Sequence, residues 1–323
     1  MKTLASRHSF KRKILVTGGA GFIASSLAEE LAADPDNLVI VMDNLSTGHY
    51  KKLPPLADNL RFVKGDVNDY KEIMEVMLSF QFHYVFHYAA VVGVKRTQEN
   101  PVSVLKDIRG IENICRIGKN TGVRRLFFAS SSEVYGEPVE FPQNEHTTPL
   151  NSRLPYAIVK NLGEAYLRSF HKEYGLDFTV FRFFNTYGPK QSKDFVISKF
   201  MMAALNNEDI TIYGDGSQTR TFCYVDDNVK ATSLIAYRDL FINDVVNIGN
   251  SIETPIIDLA NTIIKITNSK SKIIHVAPLE DGDMTRRCPD NSSMVEVLNR
   301  PLISLEEGLE KIIQKGLFEF NIS

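Results

Sequence analysis

Two kinds of apolar segment alternate along the chain. Short, nearly continuous runs rich in β-branched residues recur at "KILVTG" (13–18), "NLVIVMD" (37–43), "LRFVKGD" (60–66), "YVFHYAA" (84–90), "RRLFFASSS" (124–132) and "FTVFRFFN" (178–185). Between them, apolar residues return every three or four positions, as a helix requires. "GFIASSLAEELAA" (21–33) carries Phe22, Leu27 and Leu31 in this way. Residues 101–121 carry Val104, Leu105, Ile108, Ile111, Ile114 and Ile117 after Pro101, which suits a first helical turn. Further helices are expected over about 69–80 and about 154–174. Continuous apolar strands alternating with helices predict a parallel sheet covered on both faces, a doubly wound α/β Rossmann sheet.

The rhythm changes after residue 185. "NTYGPK" and "YGDGSQTR" are loop-rich, and helices near 195–207, 254–267 and 304–314 are separated by short strands such as "DITIYG" and "SKIIHVA". This predicts a smaller C-terminal α+β region that binds substrate at the edge of the sheet. "FCYVDDNVKATSLIAY" is expected to return to the first domain. The dinucleotide-binding domain is therefore placed at 11–184 plus about 222–250, and the substrate region at about 185–221 plus 251–323. Residues 1–10 are read as a flexible leader, basic but without an apolar stretch of signal-peptide length.

"ILVTGGAGFIASSLAEEL" is strand, glycine turn and helix, with the spacing Gly18-x-x-Gly21-x-x-Ala24. Missing Cβ atoms let a pyrophosphate approach backbone N–H groups at the helix N-terminus. Asp43 ends the next strand about 20 residues on, where a carboxylate can accept both ribose hydroxyls and repel a 2′-phosphate. NAD is expected rather than NADP. Asp66 in "GDV" either accepts from the adenine amino group or caps the helix starting near 69. "PYAIVK" places Tyr156 and Lys160 four residues apart, on one helix face. A tyrosine at its ordinary pKa near 10 is a poor base. A neighbouring ammonium and the positive nicotinamide ring favour its phenolate, which can take a proton from a sugar hydroxyl as hydride leaves the carbon.

The motifs TGGAGFIA, DNLSTG, GDV, SSSEVYG, YAIVK, FFNTYGP, YGDGSQTRTFCYVDD and RRCPDN occur in this order. Together they resemble the extended short-chain dehydrogenase/reductases that act on nucleotide-activated sugars, over residues 13–315. The resemblance implies NAD-dependent oxidation of a sugar C4 hydroxyl, for surface polysaccharide building blocks. The 4-keto sugar is then the product of a C4 dehydrogenase or the intermediate of a 4-epimerase. It implies Ser131 as the hydroxyl partner of Tyr156 and Lys160. Implied cofactor contacts are Gly18, Gly21, Phe22, Ile23, Asp43, Asn44, Asp66, Val67 and Ala89, with Tyr156 and Lys160. Asn185 resembles the asparagine that contacts the sugar diphosphate, with Arg220 and Arg286 or Arg287 as its charge partners and Ser132 beside the sugar.

Glu133 marks the subclass. Sugar 4,6-dehydratases carry an Asp-Glu pair at these positions, but Ser132 precedes Glu133 here, which disfavours dehydration. Ser-Ser-Glu with Arg287-Cys288-Pro289 resembles UDP-glucuronate decarboxylases, whose Ser, Glu and Arg handle the C6 carboxylate. "AAVVGVKRTQENP" is nearer the epimerases. A non-catalytic NAD-sensing regulator is the alternative of another class, and it would be expected to have lost Tyr156, Lys160 or the serine.

The net charge of −2 gives no global field for nucleic acid or an acidic membrane. Cys115, Cys223 and Cys288 are too far apart for a C-x-x-C pair, which fits a reducing, cytoplasmic setting without a zinc site. The helices near 101–121 and 154–174 carry more apolar surface than one sheet face needs. In relatives they form a four-helix interface, so a homodimer is expected.

Overall fold

The computed structural model describes residues 10–93, 97, 99–137, 139–277 and 286–317. Nine of the ten residues read as a leader, 1–9, lie outside the described residues. Seven strands make the main sheet: β1 (Arg12–Thr17), β2 (Asn37–Asp43), β3 (Leu60–Lys64), β4 (Tyr84–His87), β5 (Arg125–Ser131), β6 (Asp177–Phe183) and a last strand, Asp244–Ile248. Starting from the last strand, the order across the sheet is β6, β5, β4, β1, β2, β3. Every neighbouring pair is parallel. The order reverses between β1 and β4, so a ligand crevice opens beyond their C-terminal ends.

β2 and β5 are buried at every position, which is why their sequences are apolar on both faces. Along β2, Val39 and Val41 enter one core, while Leu38, Ile40 and Met42 enter the other. The first core holds α1 (Phe22–Ala32) and the Val225–Tyr237 helix, which pack on each other. Most of "FCYVDDNVKATSLIAY" is this second helix, which lies against α1. The second core holds α2 (Tyr70–Phe80) and the helices Ile108–Gly118 and Pro155–Tyr174. The helices Val196–Leu205, Ile256–Thr267 and Leu305–Lys315 extend the first core beyond the sheet. Beside them lie two small sheets, Ile210–Tyr213 with Ile273–Val276 and Thr219–Thr221 with Glu253–Pro255.

Three local expectations change. The helix read over 101–121 is two, Pro101–Leu105 and Ile108–Gly118. Between them, the N–H groups of Lys106, Asp107 and Arg109 each bond three residues back rather than four, which tightens the chain and ends the first helix. β4 stops at His87 because Tyr88 and Ala89 donate their N–H groups to Thr17 Oγ1 at 3.2 and 3.3 Å. The cap of α2 is Asp69, not Asp66: its Oδ1 accepts from Lys71 N and Glu72 N. No helix among the described residues is long and apolar enough to cross a membrane.

Candidate active site

The glycine turn follows β1 directly. Gly18 has φ +68°, and a Cβ there would lie 2.7 Å from the backbone N and Cα of Ala89. Gly21 N bonds Gly18 O at 2.9 Å, closing the turn. No side chain caps α1 at Gly21 and no acidic residue stands in its first turn, which Phe22 and Ile23 begin. Its N-terminal N–H groups are therefore available to an anion.

Asp43 ends β2 and is buried. Its Oδ2 accepts from Ala20 N at 3.0 Å and its Oδ1 from Leu45 N at 2.7 Å. Burial raises its pKa, and the two N–H bonds oppose that. Each carboxylate oxygen keeps lone pairs for a ribose hydroxyl. Asn44 Nδ2 donates to Asp66 Oδ2 at 3.1 Å, tying the ends of β2 and β3. Val67 O accepts from Asn113 Nδ2 at 3.0 Å. Thr17 Oγ1 and His87 Nδ1 share a 2.8 Å hydrogen bond across the point where strand order reverses. Burial, helped by Lys160, pushes His87 down to about 3, so the imidazole is neutral.

Tyr156 and Lys160 lie in the first turns of the Pro155–Tyr174 helix, facing the end of β5. Lys160 Nζ donates to Ala129 O at 2.6 Å and stands 5.0 Å from the Phe128 ring centre and 5.7 Å from that of Tyr156. The helix sits close on β5 because residue 163 is glycine. A Cβ there would lie 2.5 Å from Phe128 Cζ. Burial lowers Lys160 to about 8, with Asp107 opposing the fall. Burial raises Tyr156, Glu133 adds to the rise, and a hydrogen bond with Ser131 opposes it.

Ser131 also caps the 3-10 turn Ser132–Tyr135, its Oγ accepting from Glu133 N at 3.2 Å. Ser132 is buried in that turn. The Glu133 carboxylate meets Arg287 Nη1 at 2.7 Å, both side chains being largely buried. Glu133 Oε2 is buried and has no hydrogen-bond partner among the described residues. The structure thus joins two residues more than 150 positions apart at the edge of the Tyr156 site.

Arg286, by contrast, turns to Glu253 through two 2.6 Å bonds and lies over Phe141. Arg220 lies on the strand Thr219–Thr221, its Nη1 donating to Thr219 O at 2.7 Å. Asn185 Nδ2 is buried with no partner among the described residues, a donor suited to a ligand oxygen.

Three residues beyond those read from sequence build the walls. Glu164 is fully buried and accepts from Ser130 Oγ at 2.7 Å and from Arg182 Nε and Nη2 at 3.0 and 2.7 Å. Arg182 Nη1 donates to Tyr135 Oη at 3.0 Å, and Tyr135 donates to Asn247 Oδ1 at 2.7 Å. Asn247 Nδ2 bonds Gln143 O, and Gln143 N bonds Cys288 O, so this chain of bonds reaches the segment carrying Arg287. The sequence held two signals. Glu164 follows Lys160 by one turn, and Arg182 is a charge inside an apolar strand. Asp107 is the third residue.

Residues 14–249 match the family described as "NAD dependent epimerase/dehydratase family". That span takes in the glycine turn, Asp43 and the Ser131–Tyr156–Lys160 group. The chain belongs to this family. It is 38% identical to the UDP-N-acetyl-alpha-D-glucosaminuronate decarboxylase of Bacillus cytotoxicus, over 94% of this chain and 97% of that one. The UDP-glucose 4-epimerase of Thermotoga maritima, solved with UDP-glucose, superposes with a TM-score of 0.88 at 33% identity, covering 96% and 100% of the two chains. The dTDP-glucose 4,6-dehydratase DesIV of Streptomyces venezuelae, solved with NAD and TYD bound, gives 0.85 at 28%, covering 94% and 96%. The family member described here is an NAD-dependent enzyme.

Proposed function

We propose that the protein oxidises the C4 hydroxyl of a nucleotide-activated sugar, yielding a 4-keto sugar as product or as the intermediate of a 4-epimerisation. The observation that carries this reading is the meeting of Tyr156, Ser131 and Lys160 at the C-terminal end of β5. When bound, NAD supplies the hydride acceptor and a positive ring that favours the tyrosine phenolate. Gly18, Gly21 and the start of α1 would hold its pyrophosphate, and Asp43 its ribose. Asn44, Asp66, Val67 and Ala89 would meet its adenosine and nicotinamide halves. Ser131 Oγ orients the sugar hydroxyl and Tyr156 Oη takes its proton. Asn185 Nδ2, a buried donor, and Arg220 would meet the diphosphate.

A specific observation favours a second outcome. Glu133, paired with Arg287 at 2.7 Å, acts by its charge on Tyr156, so the pair would meet a substituent next to the reacting carbon. An arginine there suits a uronate, whose 4-keto form loses CO2 readily. This supports decarboxylation of a uronic acid substrate after the same oxidation. The test is incubation with UDP-, GDP-, dTDP- and CDP-linked neutral sugars and uronates, followed by mass spectrometry. An isobaric product means epimerisation, a 4-keto product means dehydrogenation, and loss of CO2 means decarboxylation. No change in any sugar would refute C4 oxidation.

We further propose a homodimer. Val102, Leu105, Ile158 and Leu162 are exposed on the two helices Pro101–Leu105 and Pro155–Tyr174, which pack side by side. The separated free cysteines support a reducing, cytoplasmic setting, which we propose with it.

A further inference from the structure

Asp107 is a charge that the chemistry above leaves unused. It stands at the break between the helices Pro101–Leu105 and Ile108–Gly118. There its Oδ2 accepts from Val91 N at 2.7 Å, in the loop after β4. A second bond comes from the side chain of Asn68, in the loop after β3. Asn68 Oδ1 in turn accepts from Gly110 N at 2.9 Å, so the start of the Ile108–Gly118 helix is pinned to that loop.

This helix packs against the one carrying the catalytic pair. They touch where residue 163 lacks a side chain: a Cβ on Gly163 would lie 2.9 Å from Ile111 Cδ1. Lys160 precedes Gly163 by three residues and Asp107 precedes Ile111 by four. One turn nearer the crevice, the same two faces therefore set a carboxylate against an ammonium. Around them stand Tyr156 on the catalytic helix, Asp66 after β3, Glu133 after β5 and the neutral His87 on β4. Asp107 acts on the Lys160 ammonium through its charge rather than through a direct bond.

We propose that Asp107 is a positioning residue for the catalytic pair: its carboxylate keeps Lys160 charged and sets the pH range over which Lys160 and Tyr156 act together. The sign follows from charge. A negative neighbour makes proton loss harder for an ammonium and for a phenol alike. Desolvation lowers Lys160 to about 8, and Asp107 opposes that fall; the same carboxylate raises Tyr156. Asp107→Asn keeps the shape and an acceptor for Val91 N, and removes the charge and one acceptor oxygen; Asp107→Glu keeps both. Both groups then titrate at lower pH.

Two measurements test this on the purified protein saturated with NAD. The first needs no turnover. Protein labelled with 13C-lysine is titrated by NMR, the Lys160 signal being the one missing from Lys160→Arg. Asp107→Asn should lower the Lys160 midpoint by roughly one pH unit, while Asp107→Glu should leave it near the wild-type value. An unmoved midpoint in Asp107→Asn, or an equal fall in both variants, would overturn the proposal. The second rests on the C4-oxidation reading: both limbs of the pH profile of kcat/KM should move to lower pH in Asp107→Asn. Loss of amplitude with the limbs in place would mean that Asp107 only holds the loops. If the wild type turns over no nucleotide sugar, C4 oxidation fails, and the NMR titration still decides the role of Asp107.

Discussion

Glu164→Gln tests the wall behind the catalytic strand. The amide has the shape of the carboxylate, so packing is kept and one charge is removed. Arg182 is 1% exposed and would retain only Tyr135 Oη and the Glu145 carbonyl as firm partners. Breaking a buried ion pair from one side costs about 3–5 kcal/mol. Gln keeps one acceptor oxygen, so we take the lower end, about 3 kcal/mol, which for a chain of this size lowers Tm by about 4–5 °C. Calorimetry at neutral pH measures it. Burial works against the charge of Glu164, but its bonds with Arg182 and Ser130 and the charge of Arg168 outweigh that and hold its pKa below the usual carboxylate range. Its stabilisation is therefore complete above the unfolded-state value of about 4.3. It is lost as pH falls through the lower folded value, and the gap between wild type and variant should close there. Adding Arg182→Met should cost less than the sum of the two single changes, because the unpaired cation is then gone. A loss below about 1 kcal/mol in Glu164→Gln, or strict additivity in the double variant, would refute the reasoning.

Gly18→Ala should weaken NAD binding at least tenfold, about 1.4 kcal/mol, because the new Cβ meets the immovable backbone of Ala89. Titration calorimetry giving an unchanged affinity would remove the turn from the cofactor site. His87 is held neutral with a folded value of about 3 against an ordinary 6.5. The unfolded chain binds the extra proton first, so stability is full above 6.5 and falls by up to about 1.4 kcal/mol per unit of acidification. His87→Gln should flatten that slope in urea melts between about pH 6.5 and pH 5, and an unchanged slope would show that another group carries it. Light scattering at micromolar concentration should give a dimer. Ile158→Glu with Leu162→Glu should give a folded monomer, since both side chains are exposed on the free chain. A wild-type monomer would end the homodimer proposal.

The sheet was legible because its strands are buried on both faces and read as unbroken apolar runs. β2 is the clearest case, its ends falling at Asn37 and Asp43 as the pattern placed them. The glycine turn was legible for a similar reason: the chemistry that demands it also demands its place between strand and helix. What the sequence hid was set by partners distant along the chain. The break at Lys106–Asp107 leaves the apolar spacing undisturbed, so periodicity runs across it. Arg286 and Arg287 are adjacent in sequence, yet one meets Glu253 and the other Glu133. Nothing local separates them. Asp107 looks like an ordinary polar residue on a helix until the Gly163–Ile111 contact shows which face it lies on.

Phe128 shows how the spacing of reacting groups is set in this chain. Its ring is buried in β5, its edge fills the space left by Gly163, and its face lies beneath the Lys160 ammonium. One aromatic side chain is thus the shim between the sheet that offers Ser131 and the helix that offers Tyr156 and Lys160. The gap between proton donor and acceptor is gauged by the thickness of a ring rather than by any loop. A thinner residue at 128 would let the helix settle toward the sheet, and a larger one at 163 would lift it away. The two positions should therefore tolerate change only together, like a worn bearing that must be replaced with its sleeve.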